Sequence, residues 1–292
     1  MAKSAPQRVL TIQSHVTFGH VGNDAAVFTL QRLGIEAMPI HTVQFSNHTG
    51  YEIFTGEVFG ADHIEAVMDG LVQNDLLNGV DAILSGYLGS VAIGQVIHRA
   101  LDIVRSHNPQ AIYVCDPVMG DKDDVGGFFV DDTIPPFMQK TLAKASIITP
   151  NHFEFEVLCG RLINTLADAV TAARALMAQH DALHTVLITS FREDEAADKL
   201  MTLAITPSEA WCVTTPRCDY LPMPSGMGDT FSALYLGHIL NGRSIEYAIR
   251  YTTSALYAFV MDTDNGARDL SIIREQAQMI EPLVLFDALP IV

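Results

Sequence analysis

Along most of the chain, short runs rich in β-branched and apolar residues alternate with longer stretches whose apolar positions recur at helical spacing. The short runs are RVLTIQ (8–13), AMPIHTVQF (37–45), VDAILSGY (80–87), AIYVCDPV (111–118), ASIITP (145–150) and HTVLITS (184–190). Between them lie helical stretches such as AAVFTLQRL, VAIGQVIHRALDIV and LADAVTAARALMAQ. A strand followed by a helix, repeated, predicts an α/β fold with a mostly parallel sheet covered on both faces. KLMTLAIT (199–206) and AWCVTT (210–215) follow one another with no helix between, and predict an antiparallel pair at a sheet edge. From residue 227 the pattern is helical to about residue 280, and GMGDTF opens the first of these helices. No internal repeat or low-complexity linker divides the chain, so residues 1–292 read as a single domain, with residues 1–7 expected to be disordered.

In an open parallel sheet, ligands bind outside the carboxyl ends of the strands. The loops that follow the predicted strands are QSHVTFGHVGND, FSNHTGYE, SGYLGS, CDPVMGDK and TPNHFEFE, all on one rim, and GMGD joins them if the late helix packs there. Glycine-flanked amides at a helix start make a seat for phosphate. Asp229 contradicts a simple seat, because a fixed negative charge repels a resting phosphate; its task is then to take a proton from the group that attacks the phosphate. The competing reading is that Asp229 caps its helix and the glycines supply the turn. Asp116 alone reads as an Asp-Pro turn and Glu154 alone as a capping charge in a helix begun after Pro150 and Asn151. On one rim with GMGD, the two carboxylates read together as hard oxygen ligands for Mg²⁺.

Composition narrows the ligands. Seventeen Lys and Arg against 34 Asp and Glu give a net charge of −17, a field that repels nucleic acid and anionic lipid. An anionic substrate must therefore be met by local amides and a metal ion. There is no G-x-x-x-x-G-K-[ST] P-loop, and GHVGND (19–24) does not satisfy the dinucleotide fingerprint. Cys115, Cys159, Cys212 and Cys218 form no C-x-x-C pair, so zinc and a disulfide framework are not indicated. With no apolar signal core and no run long enough for a membrane span, the expectation is a soluble cytoplasmic protein. MGDKDDVGGFFV (119–130), rich in glycine and charge, reads as a mobile flap that excludes water.

QSHVTFGHVGN, TVQFSNHTGY (42–51), SGYLG (85–89), CDPVMGD (115–121), TPNHFEFE (149–156), VLITS (186–190) and SGMGDTFSA (225–233) resemble the pyridoxal kinase family of the ribokinase-like superfamily. The resemblance runs from residue 13 to residue 233 in the family's order, and QSH with SNHTGY is its specific part. It implies a ribokinase-like three-layer α/β/α sandwich and ATP-dependent phosphorylation of the 5′-hydroxyl of pyridoxal, pyridoxine or pyridoxamine. Carried onto this chain, Asp229 is the base, and Gly226, Met227 and Gly228 lend amides to the moving phosphoryl group. Ser14, His48, Thr49 and Gly50 meet the substituents of the pyridine ring, and Phe45 and Tyr87 wall it. Asp116 and Glu154 take Mg-ATP, and Thr149, Thr189, Thr215 and Arg217 contact the nucleotide. The resemblance also implies a homodimer and assistance by a monovalent cation such as K⁺.

The chain departs from the family at several places. Phe129 stands where relatives often carry Tyr, Thr189 where some bacterial relatives place lysine, and Pro224 and Ser225 replace larger apolar residues. His15 and His20 read as hydrogen-bonding or surface residues, Cys218 as an inert thiol, and Trp211 as core. A hydroxymethylpyrimidine kinase of the same superfamily is the enzymatic rival, and a non-catalytic pyridoxal-binding protein the rival of another class.

Overall fold

The computed structural model describes residues 6–122, 127–194 and 197–292. In chain order the elements are β1 (Arg8–Gln13), α1 (Asn23–Arg32), β2 (Glu36–His41), β3 (Val43–Phe45), β4 (Gly56–Val58), α2 (Ala61–Gln73), β5 (Ala82–Ser85), α3 (Val91–His107) and β6 (Ile112–Cys115). They continue with α4 (Ile134–Thr141), β7 (Ile147–Ile148), α5 (His152–Cys159), α6 (Leu166–Met177), β8 (Thr185–Phe191), β9 (Lys199–Ile205), β10 (Ala210–Pro216), α7 (Met227–Leu240), α8 (Ile245–Asp262) and β11 (Ala288–Pro290).

Among the described residues the main sheet has the order β11-β10-β9-β8-β7-β6-β5-β1-β2. Strands β2, β1, β5, β6, β7 and β8 run parallel, whereas β9, β10 and β11 are added antiparallel. Alternation along each central strand divides its side chains between two cores. Leu10, Ile12, Ile83, Tyr113, Cys115, Ile148, Val186 and Ile188 pack with α2 to α6. Val9, Ala82, Leu84, Val114, Ile147 and Leu187 face the other way, toward α1, α7 and α8. The result is the expected three-layer α/β/α sandwich.

Local physics moves three expected boundaries. The run 37–45 breaks at Thr42, whose N–H still donates to Gln13 O (2.9 Å) while its carbonyl accepts from Phe59 N (2.9 Å). Beyond it, β3 leaves the main sheet and pairs with β4. That pairing needs Gly56, with φ 143°, because a Cβ there would stand 2.0 Å from Gln44 O. The late helical region stops at Asp262, where Thr263 turns extended and its hydroxyl donates to Phe259 O (2.7 Å) and accepts from Ser271 N (2.9 Å). Only a short 3₁₀ turn, Gln276–Met279, follows. At the other edge, β11 covers the predicted antiparallel pair and makes it three strands. Residues 1–5 lie outside the described residues, and Gln7 O accepts Glu36 N–H (2.9 Å).

Candidate active site

The order of strands reverses at β1: its successor β2 lies on one side, and the chain then crosses to β5 on the other. The carboxyl ends of β1 and β5 therefore border the crevice where such sheets take ligands. Gly86 follows β5 there. A Cβ at Gly86 would lie 2.5 Å from Gln13 Oε1 and 3.5 Å from Asp229 Oδ1, so Asp229 stands over this crevice.

The first turn of α7 brings it there. Gly226, the residue before the helix, has φ 93°, and a Cβ on it would be 1.8 Å from His20 O. Only glycine fits that approach. No side chain caps the helix start, so Asp229, in the third helical position, is not spent on capping. Its half-buried carboxylate instead accepts the N–H of Gly22. Desolvation raises its pKa, the Gly22 N–H opposes the rise, and the charge of Asp24 adds to it. Met227 packs its side chain against the core containing Phe259 and Leu270, which leaves its bulk away from the rim. Gly228 is exposed, and Asp116 Oδ2 lies 3.5 Å from where its Cβ would be.

Asp116 follows β6 on the face of the sheet that α7 covers, and Thr149 follows β7 on the same face. Ser232 of α7 joins them, 2.8 Å from Thr149 Oγ1 and 3.4 Å from Asp116 Oδ2. Burial, then Glu154 and Asp229, push the Asp116 carboxyl well above its ordinary range, against the hydrogen bonds from Thr149 and Ser232. Glu154 sits at the third position of α5, in a capping box with Asn151. Its carboxylate accepts N–H from Met119 (2.7 Å), Gly120 (3.4 Å) and Asn151 (2.9 Å), and burial pushes its pKa up to about 7 despite them. Glu154 thus anchors the loop after β6 through Oε1 and the N-cap of its own helix through Oε2, while Asp116 accepts from side-chain hydroxyls.

Asp116, Glu154 and Asp229 form no ion pair with a cationic side chain among the described residues. A divalent cation would relieve their mutual repulsion, and one or two carboxylates are what Mg²⁺ takes when phosphate and water complete its shell. No cluster of three or more His, Cys, Asp or Glu suited to a metal occurs among the described residues. Nothing in these residues singles out a site for K⁺.

Further along the rim, Thr189 donates its N–H to Pro150 O (3.0 Å) and bridges Asn151. Two reversals of direction make β10 run the same way as β8, and so carry buried Thr215 and then Arg217 to this rim. Arg217 donates its main-chain N–H to Asp198 O (2.8 Å) and pairs with Asp219 (2.7 Å). In the predicted flap, residues 123–126 lie outside the described residues; its ends are tied by Asp121 N–H to Gly127 O (2.9 Å) and Phe129 N–H to Met119 O (3.1 Å).

On the other side of the crevice, Ser14 O accepts Asn23 N–H (2.7 Å), and only the lack of a Cβ on Gly22 lets the two loops touch. Phe45 stacks at a tilt on Phe54, 5.2 Å between centroids, and Tyr87 is half-buried behind Gly86. Thr49 and Gly50 are exposed. His48 is buried; its Nδ1 accepts Gly50 N–H (3.1 Å), so its Nε2 carries the proton and donates to Arg268 O (3.1 Å). His15 pairs with Asp24 (2.7 Å) and stacks on His41, a structural role.

Arg268 and Asp269, which carry no motif, are the residues that sequence reading missed. Arg268 O also accepts Ser225 N–H (2.8 Å), and the Arg268 guanidinium donates to Gly50 O and lies over the Tyr51 ring. Asp269 accepts the Tyr51 hydroxyl and packs on Gly19. The segment after α8 therefore ties the SNHTGY loop, the first loop and the approach to GMGD together. Charge is the signal the sequence offered: Arg268 is one of only 17 Lys and Arg in the chain.

The chain matches the family model described as phosphomethylpyrimidine kinase over residues 17–267. It is 43% identical over 291 residues to "Pyridoxal kinase PdxY" of Rubrobacter xylanophilus, covering 98% of each chain. It is also 43% identical to the protein of that name in Deinococcus radiodurans, covering 97% of this chain and 96% of the relative. Among solved structures, pyridoxal kinase of Leishmania donovani in complex with ADP and pyridoxamine is similar, with TM-score 0.89, 27% identity and coverage of 98% of this chain and 100% of that one. Pyridoxal kinase from Entamoeba histolytica gives TM-score 0.89 at 25% identity, again with 98% and 100% coverage.

Proposed function

The chain belongs to the phosphomethylpyrimidine kinase family, and we propose that within it this protein is a pyridoxal kinase, moving the γ-phosphoryl group of ATP to the 5′-hydroxyl of pyridoxal, pyridoxine or pyridoxamine. One observation carries the reading: Asp229 is free of its own helix cap and stands over the crevice between β1 and β5, beside the glycine-bounded start of α7.

The acceptor hydroxyl enters from the side of Ser14, Phe45, His48, Thr49, Gly50 and Tyr87. Asp229 takes its proton, and a carboxylate whose basicity is raised by desolvation is suited to that task near neutral pH. Main-chain N–H groups of the first turn of α7, from Gly226 to Gly228, face charge developing on the phosphoryl oxygens, and the helix dipole adds to them. Phosphoryl transfer asks for such positioning and charge stabilisation more than for covalent help. Asp116, with Glu154 behind it, would hold Mg²⁺, which would supply charge neutralisation on the phosphates. Thr149, Thr189, Thr215 and Arg217 line the nucleotide's path along the rim, flanked by residues 119–122 and 127–130. The reading extends to a single kinase domain acting as a cytoplasmic homodimer, with K⁺ as an assisting ion; no helix among the described residues is long and apolar enough to cross a membrane.

The test is to incubate the protein with Mg-ATP and each vitamer and look for the 5′-phosphate. The family description makes hydroxymethylpyrimidine the competitor to run beside them, and a higher catalytic efficiency on it would reassign the substrate. Pyridoxal bound without product from any vitamer would make the protein a reservoir. Turnover that survives complete chelation of divalent metal would remove Mg²⁺ from the account.

A further inference from the structure

Ser225, the residue before Gly226, is tied to the segment after α8 by its main chain and to the SNHTGY loop by its side chain. Its N–H donates to Arg268 O (2.8 Å), and it lies in a parallel bridge with Asp269. Its Oγ lies 3.4 Å from Nδ1 of His48, a residue 177 positions earlier. His48 closes the circle, because its Nε2 lies 3.1 Å from the same Arg268 carbonyl.

The partners of the imidazole fix which atoms donate. Nδ1 accepts the N–H of Gly50 (3.1 Å), so it carries no proton, and the Ser225 hydroxyl is the donor to it. The ring proton is on Nε2, which faces Arg268 O and, 3.7 Å away, Asp269 Oδ1. Both nitrogens of a side chain only 9% exposed are thus engaged within the protein. The loop closes tightly on this ring: a Cβ on Gly50 would stand 2.9 Å from Nδ1. Thr49 and Gly50, which the ring holds, are exposed at the rim.

We infer that Ser225 and His48 are a pair of positioning residues, the Ser225 hydroxyl holding the imidazole and the imidazole setting Thr49 and Gly50 in register with the phosphoryl cradle that begins at Gly226. The inference rests on the kinase reading above and deepens it. Transfer between an acceptor held by one loop and a phosphoryl group held by another needs the two placed to well within about 1 Å. Residues so far apart in sequence have no local means of fixing that spacing. The Ser225–His48 contact joins them directly, one residue ahead of the first glycine of the cradle.

Turnover of pyridoxal, pyridoxine and pyridoxamine by variants of the full chain tests this. Ser225→Ala is expected to lower kcat about 3–10-fold, the worth of one neutral hydrogen bond, by the same factor for each vitamer. KM for ATP should stay within about twofold. Ser225→Thr keeps the hydroxyl and should return kcat to within about twofold of wild type. His48→Phe keeps a ring against Tyr51 and removes both nitrogens, and a loss of about 10–100-fold is expected, the scale of a small misplacement of the reacting groups. Adding Ser225→Ala to it should cost no more than about twofold further, since the hydroxyl then has nothing to hold.

Wild-type kcat in Ser225→Ala overturns the inference, whatever happens to the unfolding temperature. So does a Ser225→Thr protein as slow as Ser225→Ala, and so do losses that multiply in the double variant. A His48→Phe loss confined to one vitamer overturns it in favour of direct contact between His48 and the ring. Each of these results leaves the kinase reading standing. A wild-type protein that phosphorylates no vitamer overturns that reading, and the assignment of the pair falls with it.

Discussion

The two sides of the crevice handle charge in opposite ways. On the nucleotide side, Asp116 and Glu154 are buried carboxylates without a cationic partner among the described residues, and burial and mutual repulsion raise the pKa of Asp116. On the acceptor side, ionisable groups are matched across the chain: His48 with Arg268 O, Tyr51 with Asp269, and Arg268 with Gly50 O. The first side is left short of positive charge; the second pairs these groups within the chain. Asp229 stands where they meet, held by one backbone N–H.

The sharpest way to break this comparison is at the junction. Asp229→Asn is expected to cut turnover about 10²–10⁴-fold, the usual worth of a general base, while ATP binding measured by calorimetry is nearly unchanged. A variant keeping more than about a tenth of wild-type turnover would remove Asp229 from the mechanism, given that range. Next comes the uncompensated side: Asp116→Asn should raise the Mg²⁺ concentration needed for half-maximal rate by roughly 10–100-fold, read from a metal titration. The matched side should respond differently. Asp269→Ala strands the Tyr51 hydroxyl, and KM for pyridoxal is expected to rise about 10-fold with KM for ATP unmoved. If both KM values rose together, the division into two sides would be wrong.

The smallest effect concerns pH. Folding raises the pKa of Asp116, Asp229 and Glu154, the last to about 7, so the folded chain holds these protons more tightly than the unfolded one. Their contribution to stability is whole below the ordinary carboxylate range and is lost as pH rises through 7. The metal-free protein should therefore unfold a few degrees lower at pH 8 than at pH 6, and Mg-ATP should recover more at pH 8. Calorimetric scans at the two pH values, with and without Mg-ATP, check this.

What was legible from the chain follows from how local each cause is. The succession of short apolar runs and helical stretches, and the polar residues just after those runs, were visible, because strands and rim loops are set within a few residues. That is why Asp116, Thr149 and Glu154 could be placed on one rim before any coordinates, with the GMGD turn joining them only on condition that its helix packs there. The break at Thr42 was invisible, since it depends on Gly56 accepting a backbone at close range fourteen positions later. Arg268 and Asp269 were invisible for a stronger reason: their partners at 48, 50 and 51 lie more than two hundred residues away. Glu154 was legible as a rim residue, but its acceptance of the amides of Met119, Gly120 and Asn151 was not, because two of those donors come from another loop.

The reversal that sends β9 away from the rim and β10 back to it has a practical use. Its turn, with Pro207 and Ser208 exposed, falls at the far end of those strands from Thr215 and Arg217. A fluorophore joined at Ser208 would sit on the same rigid ladder that presents the nucleotide edge, yet a strand's length away from it. Such a label could report tumbling and self-association of the protein during turnover without touching the reaction it accompanies.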